Sequence, residues 1–203
     1  DVKVGRGAFM QSVGEARQLA RAMVDIGRKA GRQTVALLSD MNQPLGTAVG
    51  NALEVREAIA TLQGGGPADF IAHCLEIGGT MLVLAGRAET LRQGKRMLQA
   101  KIDDRKGLEK FRTLVEAQGG DPSFIDHPER LPSAAFKEAV GAPRTGYLSA
   151  VDARAVGIAA VALGAGRERK GQPIDHAVGI EVHAKVGDRL TKGDALFSVH
   201  ASD

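Results

Sequence analysis

The stretch LLSDMNQPLG, residues 37–46, supplies oxygen atoms of the kind that bind hard cations. Pro44 and Gly46 fix a turn that can direct backbone carbonyls inward, and Glu57 adds a carboxylate in the next predicted helix. Carbonyl and carboxylate oxygens suit alkali and alkaline-earth ions rather than zinc. Alternatively, Asp40 caps the turn and Glu57 is a solvated helix residue, and spacing alone favours this second interpretation.

A glycine turn, GRGAF at residues 5–9, follows the first predicted strand. Such turns can bring backbone N–H groups close to a phosphate or a ring. The alternative is a tight connection between a strand and a helix, which two glycines also permit. The GxG spacing alone does not decide between the two interpretations.

The residue pattern does not indicate any other common type of metal site or reaction centre. The five histidines do not cluster at metal-ligand spacing, and we expect most of them to be structural or exposed. A single cysteine, Cys74, excludes an internal disulfide and a cysteine-rich zinc site. The sequence contains no nucleophile elbow, no Walker loop and no His-x-x-x-His pair.

The composition is that of an ordinary globular protein with few aromatic residues. Of the 203 residues, 43% are hydrophobic and only 3% are aromatic, which argues against aromatic platforms for stacking bases. The net charge of +3 is spread along the chain, so we expect no nucleic-acid partner. No apolar stretch reaches the roughly 20 residues that span a bilayer, and no signal peptide is visible. We therefore expect no membrane partner and a cytoplasmic location.

Strands and helices alternate over residues 1 to about 62, which predicts an α/β fold. DVKVG is a short strand, and Ser12 with Glu15 forms a capping box for the helix that follows. Gly31 ends that helix. QTVALL, residues 33–38, then has the character of a buried strand. We expect a partial parallel sheet flanked by helices, and a chain that begins inside a sheet suggests a fragment of a longer one.

The second predicted helix begins near Asn51, which with Glu54 forms a plausible cap. A break at GGGP is followed by helical periodicity from Pro67 to about Ala117. The first of these helices, DFIAHCLEIGGTMLVLAG, is apolar enough that we expect it to be well buried. The two after it are amphipathic and should face solvent on one side.

The last 70 or so residues predict a compact α+β module. AAFKEAV and GYLSAV have the character of strands, DARAVGIAAVALGAG that of a small-residue helix, and residues 179–201 alternate apolar and polar. We expect domains at residues 1–120 and 134–203, joined by a linker at 121–133. VGDRLTKGD resembles biotinyl and lipoyl hammerhead domains, although no carrier-lysine motif is present, so the alternative function is a non-catalytic binding module.

Four long segments carry a resemblance to a known family: DVKVGRGAF, LLSDMNQPLGTAVGNALEVREA, TGYLSAVDARAVGIAAVALGAGRERKGQPID and VGDRLTKGDALFSVHA. In this order they resemble the C-terminal half of pyrimidine-nucleoside and thymidine phosphorylases. The resemblance implies phosphorolysis of a pyrimidine nucleoside such as uridine or thymidine to the base and a pentose 1-phosphate, with inorganic phosphate as cosubstrate. Charge then develops on the sugar and on the departing base. A related phosphoribosyltransferase is a further alternative, but that family lacks the C-terminal β module.

The resemblance transfers few site residues to this sequence. The family's phosphate ligands, its pyrimidine-holding arginine, serine and lysine, and its catalytic histidine belong to upstream segments, so we expect no catalytic residue here and no activity of this stretch alone. Phe9 matches a wall of the base pocket, and Arg6 replaces the small residue usual at its position. The preference between uridine and thymidine stays open.

Bacterial members of the family bind a monovalent, potassium-like cation near the domain hinge. The resemblance assigns two backbone carbonyls and one carboxylate of that site to Leu45, Ala48 and Glu57, and the other ligands to the upstream part. The family dimerises through N-terminal helices, so the resemblance implies a homodimer for the full-length protein. The resemblance therefore favours a cation site at residues 42–46, called the NQPLG turn below, over the interpretation of Glu57 as a solvated helix residue.

Overall fold

A computed structural model describes residues 1–203, which fold into short strands and seven α-helices. The strands are β1 Val2–Val4, β2 Leu38–Asp40, β3 Ala48–Val49, β4 Phe136–Gly141, β5 Gly146–Tyr147, β6 Gly179–Val182, β7 Arg189–Leu190 and β8 Ala195–Ala201. The helices are α1 Val13–Lys29, α2 Asn51–Leu62, α3 Ala68–Leu84, α4 Leu91–Asp103, α5 Lys106–Ala117, α6 Ser123–Asp126 and α7 Ala153–Ala160, the last continued by a π-helical segment at Val161–Ala165. The mixed α/β fold class is confirmed.

The first sheet is a parallel pair, β1 with β2, covered on one side by α1. The predicted capping box of α1 is present, because Ser12 accepts from the amide of Glu15 while the Glu15 carboxylate accepts from the amide of Ser12. The second strand was predicted at residues 33–38, but β2 starts only at Leu38. Since β1 is three residues long and pairs Val2 with Leu38, the residues before Leu38 have no partner strand.

The N-terminus of α2 differs from the prediction. Gly50, not Asn51, is the N-cap residue, and its amide donates to the Glu54 carboxylate at 3.0 Å. The Asn51 side chain instead donates to the carbonyl of Ala165, 2.9 Å away. Asn51 therefore fastens α2 to the C-terminal module rather than capping its own helix.

Three helices follow Pro67, as predicted, but α3 is far less buried than its apolar sequence suggested. Gly79 is its only buried residue, and the Met81 side chain is 63% exposed. The helix packs against α4 through a close glycine contact, since a Cβ on Gly94 would lie 2.7 Å from the carbonyl oxygen of Gly79. An apolar sequence predicts affinity for a neighbour, and α3 has such a neighbour on one side only.

The largest sheet has four strands in the order β3-β6-β8-β4, all antiparallel. A separate antiparallel pair joins β5 to β7. Helix α7 packs on the larger sheet and forms its main apolar cluster with it. The strand β3 comes from before the predicted linker, so the sheet draws on both sides of it. The cluster consists of Val151, Val156, Ala160, Ile180 and Val182.

The predicted linker contains α6 and a 3-10 turn and is held against α2. The Arg56 guanidinium donates to the carbonyls of Pro128, Leu131 and Pro132 at 2.7 to 3.1 Å. The domain boundaries at 120 and 134 stay a prediction. None of the helices combines the length and the apolarity needed to cross a membrane.

Candidate functional site

The turn from Asn42 to Ala48 is held by the C-terminal module. The carbonyl of Asn42 accepts from the amide of Ala153, and the carbonyl of Thr47 accepts from the amide of Val182 at 2.7 Å. The Gln43 side chain accepts from the amide of Val186 at 2.9 Å. The turn therefore follows the parallel pair in sequence, but its hydrogen bonds to the C-terminal module fix its position.

Glu57 reaches back from α2 to this turn. Its Oε2 atom accepts from the amide and the hydroxyl of Thr47, at 2.7 and 2.6 Å, and from the amide of Ala48 at 3.2 Å. The carboxylate is half-buried and holds the end of the turn in place. The interpretation of Glu57 as a merely solvated helix residue is therefore wrong.

Gly46 makes room for that carboxylate. It has a φ of +69°, and a Cβ at this position would lie 2.3 Å from Oε1 of Glu57. Oε1 accepts no hydrogen bond within the chain, since all three bonds fall on Oε2. The structure thus places Ala48, through its amide, against the Glu57 carboxylate, while Leu45 directly precedes Gly46 in the turn. Carbonyl and carboxylate oxygens are ligands that hard cations prefer. Ion binding by these residues stays a prediction.

Lys185 contacts the same turn and was missed by the sequence analysis. Its ammonium donates to the carbonyl of Pro44 at 2.6 Å, to the carbonyl of Gly46 and to the carboxylate of Asp69 at 2.9 Å. The acceptors lie 116 to 141 residues earlier in the chain, so no local pattern indicates them.

The Asp69 carboxylate, near the start of α3, also accepts from the amide of Gly46 at 3.2 Å. Partial burial alone would raise the pKa of Asp69, but its hydrogen bond to Lys185 and the charge of that ammonium outweigh burial. The pKa of Asp69 therefore lies below its ordinary value, and the carboxylate is charged at neutral pH.

The glycine turn at residues 5–9 packs closely against the start of the NQPLG turn. The amide of Gly7 donates to the carbonyl of Met41, and the amide of Arg6 donates to the Asn42 side chain at 3.1 Å. Gly5 has a φ of +126°, and a Cβ there would lie 2.9 Å from the backbone nitrogen of Asn42. Gly5 and Gly7 thus permit close contact between the glycine turn and the NQPLG turn.

Phe9 projects from this turn with its side chain fully exposed. It lines an open cleft of about 590 Å³ together with Arg6, Met23 and Arg154. Arg6 is accommodated because its side chain extends towards Asp152, 3.9 Å away, which caps α7. The Phe9 ring forms an exposed part of the wall of this cleft. Its role in binding a base stays a prediction.

A second polar cluster, beside β1, also escaped the sequence analysis. The Asp1 carboxylate accepts from Ser39 at 2.6 Å and pairs with Lys3 at 2.6 Å. The Lys3 ammonium also lies 3.0 Å from Nε2 of His73 on α3. Burial lowers the pKa of Lys3, and burial with the charge of Lys3 lowers the pKa of His73. Nε2 of His73 also lies 3.2 Å from the Asp1 carboxylate, so this ring nitrogen sits between an ammonium and a carboxylate.

Comparison with known families defines the class of the protein. Residues 1–108 match the family described as "Glycosyl transferase family, a/b domain". Residues 147–203 match a second family, described as "Pyrimidine nucleoside phosphorylase C-terminal domain". The two matches cover the parallel pair with its helices and most of the C-terminal module, in that order along the chain.

Individual relatives carry the comparison further. The chain is 48% identical over 202 residues to proteins named pyrimidine-nucleoside phosphorylase from Staphylococcus aureus, among them those of strains RF122 / ET3-1 and USA300. These matches cover 100% of this chain and 47% of each relative, so the chain spans about half the length of the curated relatives it matches. This chain belongs to the pyrimidine-nucleoside phosphorylase family of glycosyl transferases.

Proposed function

We propose that this chain forms part of a pentosyltransferase that cleaves uridine or thymidine with inorganic phosphate. The observation that carries the proposal is the 48% identity to pyrimidine-nucleoside phosphorylases along the whole chain. The alternative of a non-catalytic hammerhead module is less well supported, because it leaves the glycosyl transferase match over residues 1–108 without an explanation.

The contribution of the first sheet is one wall of a substrate cleft. The exposed ring of Phe9 offers an apolar face to a pyrimidine, and such a face orients a base without binding its charge. Stabilising the charge on the departing base and binding phosphate need polar groups that the family resemblance assigns to upstream segments. We propose that these 203 residues alone do not catalyse phosphorolysis.

The contribution of the NQPLG turn is a partial site for a monovalent cation, with potassium the proposed ion. The carbonyls of Leu45 and Ala48 and the free Oε1 of Glu57 would hold it. Such an ion supplies positive charge that draws carbonyl oxygens together. Within this chain, Glu57 orients Thr47 and Ala48, and the missing side chain of Gly46 leaves the room that the Glu57 carboxylate occupies.

Three further parts of the proposal rest on the resemblance. The full-length protein is a homodimer, its location is cytoplasmic, and residues 134–203 form a hammerhead-like domain. The antiparallel sheet and the turns at Gly187 and Gly193, both with positive φ, support the hammerhead assignment. An intact mass equal to the sequence mass would argue against covalent carriage on a lysine of that domain.

A chimera tests the proposed function. These 203 residues replace the aligned segment of the Staphylococcus aureus protein, and the release of base from uridine and from thymidine is measured with phosphate present. We expect activity in the chimera and none in the 203-residue chain alone. An inactive but folded chimera would count against the proposal, and activity of the chain alone would refute the absence of catalytic residues from it.

Substitutions in the chimera then test the two proposed contributions. Phe9→Ala should lower kcat/KM for uridine about 10-fold, the order expected for one aromatic contact. Phe136→Ala removes another exposed ring, on β4, and should leave kcat/KM unchanged. Glu57→Gln should reduce the response of activity to potassium, whereas Glu138→Gln, on the exposed strand β4, should not. Equal effects of target and control would contradict the assignment.

A further inference from the structure

We propose that the ammonium of Lys185 is a tethered cation that occupies an oxygen cradle distinct from the Leu45, Ala48 and Glu57 set. Its ligands are the carbonyls of Pro44 and Gly46 and the carboxylate of Asp69. Lys185 is then a positioning residue for the turn that carries the predicted ion ligands. The proposal concerns this chain alone and does not depend on the proposed function.

The cradle is complete for an ammonium ion. A lysine side chain has three N–H donors and no acceptor, and each donor here has one oxygen partner. The positive charge faces one carboxylate, so the cluster as a whole is neutral. The Lys185 side chain is only 22% exposed, which restricts the access of water to these bonds.

The oxygens of the cradle have little reason to converge without a cation. Two carbonyl dipoles and a carboxylate that point at one position repel each other, and a positive charge at that position reverses the balance. Potassium and ammonium ions are alike in charge and similar in size, so the same three oxygens suit either one. A free monovalent cation should therefore replace the lysine ammonium when the side chain is shortened or made apolar.

The lysine is held in place from its own side of the contact. Its backbone amide donates to the Asp188 carboxylate at 2.8 Å, and the amide of Gly187 donates to the carbonyl of Leu148 at 2.9 Å. The turn that carries Lys185 is thus anchored in the C-terminal module before its side chain reaches Pro44. This anchoring lowers the entropy cost of fixing a long side chain.

The contact joins three parts of the fold at one point. Asp69 lies in the first turn of α3, Gly46 lies in the turn before β3, and Lys185 follows β6. Thr47 and Ala48, which Glu57 holds, come directly after Gly46. Removing the ammonium should therefore loosen the turn on the side opposite Glu57.

Cation rescue is the test. The thermal unfolding of the wild-type chain, Lys185→Met and Lys192→Met is measured in choline, potassium and methylammonium chloride at equal ionic strength. Lys192 is the matched control, because it is exposed and its side chain makes no hydrogen bond or ion pair. In choline, Lys185→Met should lower Tm by about 5 °C, and Lys192→Met by less than about 1 °C.

Potassium and methylammonium should restore a substantial part of the Tm of Lys185→Met and shift the wild-type chain and Lys192→Met equally little. A loss of Tm that is the same in all three salts would overturn the proposal, because a merely structural contact does not distinguish the cations. A loss no larger than that of Lys192→Met would overturn it as well.

A measurement on the wild-type chain keeps the proposal open to refutation if the Lys185 variant does not fold. An amine whose donors are all engaged reacts slowly with acetic anhydride. We expect acetylation of Lys185, followed by mass spectrometry, to be about 10-fold slower than that of Lys192. Equal rates would show that the ammonium is not held in the cradle.

Discussion

The parallel pair β1–β2 and the four-stranded sheet differ in size and in the helix that covers each of them. The parallel pair β1–β2 has a core of three buried residues, Val2, Ala16 and Ala20. The four-stranded sheet and α7 share five. Yet the glycine turn with Phe9 and the NQPLG turn with Leu45 follow strands of the smaller sheet, whereas Ala48 lies in β3 and Glu57 in α2.

This difference separates the residues that make a site from those that stabilise it. The NQPLG turn is bonded to Ala153, Val182, Lys185 and Val186, all in the C-terminal module. Loops on a small, open scaffold gain precision when a better-packed neighbour holds them. The C-terminal module therefore serves the site although none of its residues was predicted to touch a substrate.

The largest effect should come from the antiparallel pairing of β3 with β6, which joins the N-terminal part of the chain to the C-terminal module. A Cβ on Gly179 would lie 2.4 Å from the carbonyl oxygen of Val49, and Gly179 has a φ of +158°. Gly179→Ala should cost on the order of 3 kcal/mol of unfolding free energy, measured by urea denaturation. Gly146→Ala, at an open position on β5, is the control and should be nearly neutral. A small cost for Gly179→Ala would mean that the two strands are not in tight contact.

Shortening a buried side chain should show how much better the larger sheet is packed than the region around β2. Val182 is completely buried in the larger sheet, whereas Val35, just before β2, is 50% exposed. Val182→Ala should lower the unfolding free energy by about 2 kcal/mol because it leaves a cavity, and Val35→Ala by less than about 0.5 kcal/mol. Denaturant titration of both variants measures the difference, and equal losses would contradict the idea that the larger sheet carries more of the stability.

The capping box of α1 is the main local device in the smaller region. Ser12→Ala removes the acceptor for the amide of Glu15, so it should cost about 1 kcal/mol, measured by thermal or urea unfolding. Ser133 is exposed and its side chain makes no hydrogen bond, so Ser133→Ala is a matched control with an expected change near zero. An unchanged stability of Ser12→Ala would show that α1 is held by packing alone.

The smallest effect should be a pH dependence in the larger sheet. Burial alone would raise the pKa of Glu181, but its bonds to Lys137 at 2.6 Å and His200 at 3.0 Å outweigh burial and leave the pKa below its ordinary value. A depressed carboxylate pKa stabilises the fold above the unfolded pKa, and this stability is lost as the pH falls through the folded pKa.

Glu181→Gln should accordingly reduce the unfolding free energy at about pH 7 by on the order of 0.5 kcal/mol, and the difference from the wild-type chain should vanish near about pH 3. Urea denaturation across that range measures it. Glu138→Gln, on strand β4 of the same sheet and without an ion pair, should show no such pH dependence. A difference that persists at low pH would rule out the ionised carboxylate as its cause.

The features that could be predicted from the sequence are those that depend on hydrogen bonds between residues close together in the chain. Ser12 and Glu15 are three residues apart, so their capping box could be recognised from spacing. Asn51 was assigned to a cap because its actual partner, the carbonyl of Ala165, lies 114 residues away. The acceptors of Lys185 are equally remote. The prediction that α3 is well buried was wrong, because apolar composition does not show how many neighbours a helix has.

The contacts around the candidate site residues were predicted only in part for the same reason, and the role of these residues stays a prediction. Leu45, Ala48 and Glu57 were placed together by family resemblance, and their proximity is local to one turn and the helix after it. The hydrogen bonds between Glu57 and Thr47 had no signature in spacing, because Gly46 permits them through its conformation. The order of the family segments predicted the class of protein better than any single motif did.

The placement of β3 limits how the chain can be divided. Cleavage within residues 121–133 would separate β3 from the other three strands of its sheet and leave one side of β6 unpaired. A bare strand edge recruits further strands, from copies of the same fragment or from other proteins. The module from residue 134 onward, produced by itself, should therefore tend to self-associate, whereas a cut upstream of Ala48 would keep that edge capped.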